Sequence, residues 1–169
     1  MIKMIKNDWQ YRITRSKAGK LALALEQLEQ VSPLRTDLHP LLQKAQIDGL
    51  RSQLDDLRAE LKSYETLKFG DVKTLPLTSL DDLPIIMIQA RIALGLTQKE
   101  LAEQLGVAEQ QVQRYEETEY QGASFASIAR VARVLGLSVV DNVHISYRRA
   151  EPEEPLQANA RTVRSRLPS

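Results

Sequence analysis

The chain of 169 residues is 43% hydrophobic and 27% charged, which is typical of folded globular proteins rather than of disordered or membrane ones. It contains no cysteine, which excludes disulfide bonds, thiolate nucleophiles and cysteine-ligated zinc or iron–sulfur centres. The net charge of +1 provides no global basic field. Neither an export signal nor a membrane span of roughly 20 apolar residues is present, so we expect a cytoplasmic protein without a membrane partner.

The charges are unevenly distributed along the chain. Residues 1–20 contain six lysines and arginines against Asp8 alone, a local excess of +5. Residues 79–140 contain five basic and eight acidic side chains, a net charge of −3. Residues 1–20 should therefore attract a polyanion more strongly than residues 79–140 do.

The N-terminal residues predict a strand followed by a helix. Residues 7–14 alternate between apolar and polar side chains, with Trp9 on the apolar side, which indicates a short β-strand. Thr14 or Ser16 is then expected to cap a helix with leucines on one face, which ends before Pro33.

A second helix is predicted from Pro40 to Lys68, because proline suits the first helical position. Apolar residues then recur at alternating spacings of three and four, which is a coiled-coil seam. It consists of Ile47, Leu50, Leu54, Leu57, Leu61 and Tyr64. Two interpretations stay open and are compatible: an antiparallel helical hairpin that packs on itself, and an interface for a second copy or a partner protein.

Residues 71–78 contain Pro76 and no helical periodicity, so we expect a linker between an N-terminal region, residues 1–70, and a second domain, residues 79–148. The second domain begins with a capping pair, Ser79 and Asp82, and a helix that ends at Gly95.

Two short helices with a glycine turn follow. Thr97 and Glu100 form a capping box that opens a helix from Gln98 to Leu105. Only residues 106–108 separate it from a helix predicted at Glu109–Glu117, and Ser124 caps a further helix that ends at Gly136. This is helix-turn-helix geometry, in which the second member can enter a DNA major groove about 12 Å wide.

The same region resembles the lambda-repressor-like Xre family of DNA-binding domains. The resemblance is carried by RIALGLTQKELAEQLG at residues 91–106, followed by Val112, Arg114, Tyr115 and Glu116, and it extends to Leu137. It covers about a third of the chain. It implies a compact helical domain whose second motif helix reads double-stranded DNA.

The resemblance also implies roles for individual residues. Gln98, with its neighbours Thr97 and Lys99, is expected at the DNA, with Gln98 touching the backbone and supporting the reading helix. The groove-facing residues would be Glu109, Gln110, Gln111, Gln113 and Arg114. These types fit base readout, because glutamine can bond adenine, arginine guanine, and glutamate can accept from cytosine. Arg91 and Glu116 match a structural salt bridge of the family.

The sequence departs from the family pattern in two places. Ala108 stands where a serine or threonine usually caps the recognition helix, and residues 117–121 are acidic where a glycine turn with basic residues is usual. Counterion release from this module alone should therefore be small. We expect affinity to require two modules acting together and basic residues from elsewhere, such as the first 20.

The remaining residues indicate little chemistry. Residues 143–148 alternate, which favours a short strand, and residues 149–169 have the composition of a disordered tail. His39 and His144 are far apart and lack acidic neighbours at ligand spacing, so neither a metal site nor a catalytic triad is expected. Ser124 is better explained as a helix cap than as a nucleophile. We expect no enzyme activity and no cofactor.

The sequence thus predicts a mainly α-helical, dimeric, sequence-specific DNA-binding regulator, acting as a repressor. An N-terminal hairpin would provide assembly, and a C-terminal helix-turn-helix would read an operator. The alternative is an interaction protein, such as the antitoxin of a toxin–antitoxin pair, whose residues 14–68 bind a partner protein. The long N-terminal extension favours this alternative, because simple repressors of the family do not need it.

Overall fold

The computed structural model describes residues 4–31 and 39–139, and within these ranges the chain is helical and has no β-strand. The mainly α-helical prediction is therefore confirmed, and Met1–Ser138 form one compact unit. The strand predicted at 143–148 and the tail at 149–169 lie outside the described residues. The helices are α1 (Asp8–Val31), α2 (Pro40–Phe69), α3 (Leu83–Ala93), α4 (Gln98–Leu105), α5 (Glu109–Glu117) and α6 (Phe125–Val134), with a 3₁₀ turn at Leu80–Asp82 before α3.

The strand predicted at residues 7–14 is wrong, because α1 already begins at Asp8. The helix is started by Asn7, whose side-chain oxygen accepts a hydrogen bond of 2.9 Å from the backbone N–H of Gln10. The Gln10 side chain in turn accepts from the backbone N–H of Lys6 at 2.8 Å. This reciprocal pair replaces the cap expected at Thr14 or Ser16. The apolar alternation at residues 7–14 does not correspond to a buried face, since Trp9 is 63% exposed.

Helices α1 and α2 pack against each other as an antiparallel hairpin. Ala18 and Leu25 of α1 and Leu54 of α2 are its buried residues, and the other seam leucines pack around them. Glu29 near the end of α1 bonds Arg51 at 2.7 Å. The start of α2 is as predicted, with His39 as the capping residue and proline at the first helical position.

The four C-terminal helices share a hydrophobic core with the N-terminal part of the chain. Met87, Leu101, Val112 and Val131 are its fully buried centre, and Ile5, which precedes α1, is only 4% exposed in the same core. Tyr64 and Leu67 at the end of α2 are also buried there. This core therefore includes residues from both sides of the predicted linker, residues 71–78.

None of the described helices combines the length and apolar character needed to cross a membrane.

Candidate nucleic-acid interface

Helices α4 and α5 form the predicted pair with the predicted boundaries. The Thr97 hydroxyl accepts from the backbone N–H of Glu100 at 3.1 Å, and the Glu100 carboxylate accepts from the backbone N–H of Thr97 at 2.7 Å. Because these bonds favour the ionised carboxylate, they hold the pKa of Glu100 below its ordinary value. Gly106 ends α4 with a φ of 64°, the left-handed conformation that glycine adopts without strain.

A buried ion pair connects α3 to α5. The Arg91 guanidinium donates to both oxygens of the Glu116 carboxylate, from Nε at 2.5 Å and from a terminal nitrogen at 2.7 Å. Arg91 is 2% exposed and Glu116 is fully buried. A two-point contact between rigid, planar groups fixes direction as well as distance, so this pair sets the orientation of α5 on the rest of the domain.

The same guanidinium joins two further parts of the chain. One terminal nitrogen donates to the carbonyl of Leu96 at 2.7 Å, in the turn before α4. The other also donates to the carbonyl of Lys6 at 2.6 Å, in the segment before α1. All the buried charge is thereby hydrogen-bonded, as a stable buried pair requires.

Gln98 is mostly buried, with 8% of its surface exposed. Its amide nitrogen donates to the Glu116 carboxylate at 2.8 Å, and its amide oxygen accepts from the Asn7 side chain at 3.3 Å. The side chain therefore positions α5 relative to α4. The DNA-backbone contact expected of Gln98 stays a prediction. It would have to come from the second N–H of the amide nitrogen, because phosphate oxygens accept hydrogen bonds and the amide oxygen cannot donate one.

The segment before α1 completes this cluster, and the sequence analysis did not foresee it. The Lys6 ammonium donates to the carbonyl of Glu116 at 2.6 Å in the last turn of α5, where the helix dipole favours a positive charge. It also lies 3.8 Å from the Glu119 carboxylate. The Asn7-x-x-Gln10 spacing was a readable signal for the start of α1. No local signal indicates the contacts with Glu116 and Glu119.

The residues predicted to meet DNA lie at the start of α4 and along α5, and all of them except Gln98 are exposed or half-buried. Thr97, Lys99, Gln110, Gln113 and Arg114 are exposed, and Glu109 and Gln111 are half-buried. The Gln113 amide donates to the Glu109 carboxylate at 2.9 Å, so these two side chains are already aligned on one face. We call Lys99, Glu109, Gln110, Gln111, Gln113 and Arg114 the reading surface.

The two sequence departures have structural counterparts. Ala108 takes the extended conformation of a capping residue but provides no side-chain hydrogen bond to α5. After α5, Glu119 and Tyr120 have φ values of 50° and 59°, the left-handed region usually left to glycine. Tyr120 offsets this strain by burial, because it is 3% exposed and stacks on Tyr115 with ring centres 5.6 Å apart. Burial also raises the pKa of Tyr120.

No cluster of three potential metal-ligating side chains occurs within residues 4–31 and 39–139. Ser124 caps α6, with its hydroxyl accepting from the backbone N–H of Ser127 at 3.2 Å.

Fold and surface together define a helix-turn-helix domain. Residues 87–142, about a third of the chain, match the family model described as Helix-turn-helix, which confirms the resemblance to Xre-type domains for this segment. No curated protein and no solved structure shows a significant match to the chain. The presence of this domain supports a general role as a DNA-binding regulator.

Proposed function

We propose that the protein is a sequence-specific transcriptional regulator that acts as a repressor by inserting α5 into the major groove of an operator. The observation that carries the proposal is the exposed polar surface of α5 on a helix whose orientation is fixed by the Arg91–Glu116 pair. A protein bound over a promoter blocks the polymerase sterically, so we propose that the regulator represses transcription. We propose a cytoplasmic location, which the match to a DNA-binding helix-turn-helix family supports.

The reading surface has the chemistry needed for base recognition. Arg114 can donate two hydrogen bonds to guanine, and Gln110 and Gln113 can pair with adenine through their amides. Glu109 can accept from the amino group of cytosine. We assign Lys99, in the first turn of α4, to a phosphate contact, since it is an exposed cation and phosphate contacts set the register of a protein on the duplex. We propose no catalytic role for these residues.

We propose that the protein binds as a homodimer. The described module with the reading helix carries few basic residues, so one copy offers few phosphate contacts. Two copies on neighbouring half-sites double both the base contacts and the phosphate contacts, and their spacing follows one helical turn of DNA, about 34 Å.

The test is a titration of the full chain against DNA from upstream of its own gene, with a shuffled duplex as control, at about 0.15 M salt, where binding to the backbone alone is weak. We expect a preference of about a thousandfold or more. The paired substitutions Gln110→Ala and Arg114→Ala should abolish it. The control pair Gln104→Ala and Arg133→Ala removes the same residue types from exposed positions on α4 and α6 and should retain it. Equal affinity for both duplexes would contradict the proposal.

A second candidate function rests on the hairpin. A groove between α1 and α2 is lined by Leu21, Ala24 and Leu57 together with polar and charged side chains, among them Lys17 and Asp56. Leu23 of α1 is 61% exposed. These features suit a partner protein, such as a toxin neutralised by this chain.

The test of this second function is co-expression with the product of the adjacent gene. A stable complex that Leu23→Glu disrupts, while the reading-surface pair Gln110→Ala and Arg114→Ala leaves it intact, would support it. The absence of any complex would contradict it.

A further inference from the structure

The start of α1 lies beside the reading surface. Trp9 lines a cleft of about 250 Å³ whose other walls include Gln98 at the start of α4 and Glu109 and Gln113 of α5. Trp9 is nevertheless 63% exposed, which is unusual for the largest apolar side chain. An exposed tryptophan next to two proposed base-reading residues is open to a ligand that approaches α5.

The outward face of α1 is basic. The helix packs on α2 through Ala18 and Leu25, and a helical repeat of 3.6 residues places the opposite face on Trp9, Arg12, Ser16 and Lys20, all of them exposed. Asp8, the one acidic residue among the first 20, is paired with Lys68, and Glu109 is a second carboxylate in the wall of the cleft. Arg12 lies one turn after Trp9 on the same exposed face of α1, so a positive charge stands beside the tryptophan.

The helix-turn-helix module lacks the charge that DNA binding needs. Of its five basic residues, Arg91 is buried in the pair with Glu116 and cannot reach a phosphate. The remaining four are outnumbered by the module's acidic side chains. Because phosphate contacts provide the sequence-independent part of affinity, we expect contacts beyond that of Lys99 to come from another part of the chain.

We propose that the first turns of α1 extend the DNA interface, with Arg12 contacting a phosphate and Trp9 packing on the sugar-phosphate backbone beside the base pairs that α5 reads. The inference rests on the proposed function and adds a contact outside the helix-turn-helix module. On this proposal, part of the N-terminal extension contributes to the affinity for DNA rather than to sequence selectivity, because backbone contacts carry no base information.

The first test compares the full chain with Arg12→Gln, using the upstream duplex and its shuffled control over a range of salt concentrations. We expect Arg12→Gln to weaken binding to both duplexes by the same factor and to reduce the slope of log affinity against log salt by about 1. Lys44→Gln is the matched control, because Lys44 is an exposed basic residue in the first turns of α2, at the opposite end of the hairpin. It should leave the slope unchanged.

The second test uses Trp9 as a reporter, since it is the only tryptophan in the chain. Its fluorescence should change on addition of either duplex and saturate at the concentration where DNA binding saturates. Two outcomes would overturn the inference: an unchanged salt slope in Arg12→Gln, or unchanged Trp9 fluorescence on DNA binding. If the preference for the upstream duplex is intact in that case, the proposed function still stands. If the unmodified chain shows no preference for the upstream duplex, both the inference and the proposed function are overturned.

Discussion

The buried ion pair gives the sharpest test of how α5 is held, through the substitution Arg91→Met. Methionine retains the bulk of the arginine stem but removes every donor of the guanidinium. Glu116 is fully buried, so its carboxylate would keep only the bond from Gln98. Removing one partner of a buried pair costs about 3–5 kcal/mol of unfolding free energy, because the other charge is left uncompensated.

This loss is large compared with the total stability of a domain, which is typically about 5–15 kcal/mol. The assay is urea unfolding of the full chain at neutral pH, followed by far-ultraviolet circular dichroism. The control is Arg133→Met, which removes an exposed arginine from α6 and should change the unfolding free energy by no more than about 0.5 kcal/mol.

A double substitution separates the lost charge pairing from lost packing. If the uncompensated carboxylate causes the loss, Arg91→Met combined with Glu116→Gln should be more stable than Arg91→Met alone, because a neutral amide is easier to bury than a carboxylate. A loss below about 1 kcal/mol for Arg91→Met would refute the reasoning. So would a double variant less stable than the single one.

Three further changes test other parts of the account. Ile5→Ala should lower the unfolding free energy by about 2–5 kcal/mol in urea unfolding, because Ile5 is buried in the core of the C-terminal helices; a change under about 0.5 kcal/mol would mean that the segment before α1 is dispensable. Ala108→Ser should raise stability by about 1 kcal/mol by supplying the absent cap of α5, whereas Ala126→Ser, inside α6, should not; equal effects would contradict the capping argument. The hydrogen bond from Lys68 lowers the pKa of Asp8 below its ordinary value of 3.8, so the contribution of Asp8 is fully present above that pH and is lost as the pH falls from there through the lowered pKa. Asp8→Asn should therefore make stability less dependent on pH in this range, and an unchanged profile would contradict it.

Helix boundaries could be predicted where the sequence carries a local capping or terminating signal. Pro40 after His39, the Thr97–Glu100 capping box and the glycine at position 106 each act within a few residues, and the boundaries of α2, α4 and α5 follow from them. The error at residues 7–14 has a local cause as well. The apolar alternation at residues 7–14 does not mark a buried strand face, because Trp9 and Ile13 are exposed, and the Asn7–Gln10 capping pair starts a helix instead.

The remaining features of the site depend on contacts that are distant in sequence. The Lys6 ammonium meets a carbonyl 110 residues further along the chain, and Asn7 meets Gln98 across 91 residues. No period or spacing within one segment encodes such a pairing. For the same reason the burial of Gln98 could not be inferred, since a polar residue in a first helical turn is exposed unless a distant segment covers it.

The central claim is that α5 reads DNA sequence, and selection from a pool of random duplexes tests it most directly. The full chain and Arg114→Ala would each be used to enrich duplexes at about 0.15 M salt. The account predicts that the full chain enriches one common sequence. It also predicts that Arg114→Ala loses about 1–3 kcal/mol of preference at a single base pair and retains the others. A pool from which the full chain enriches no common sequence would contradict the account.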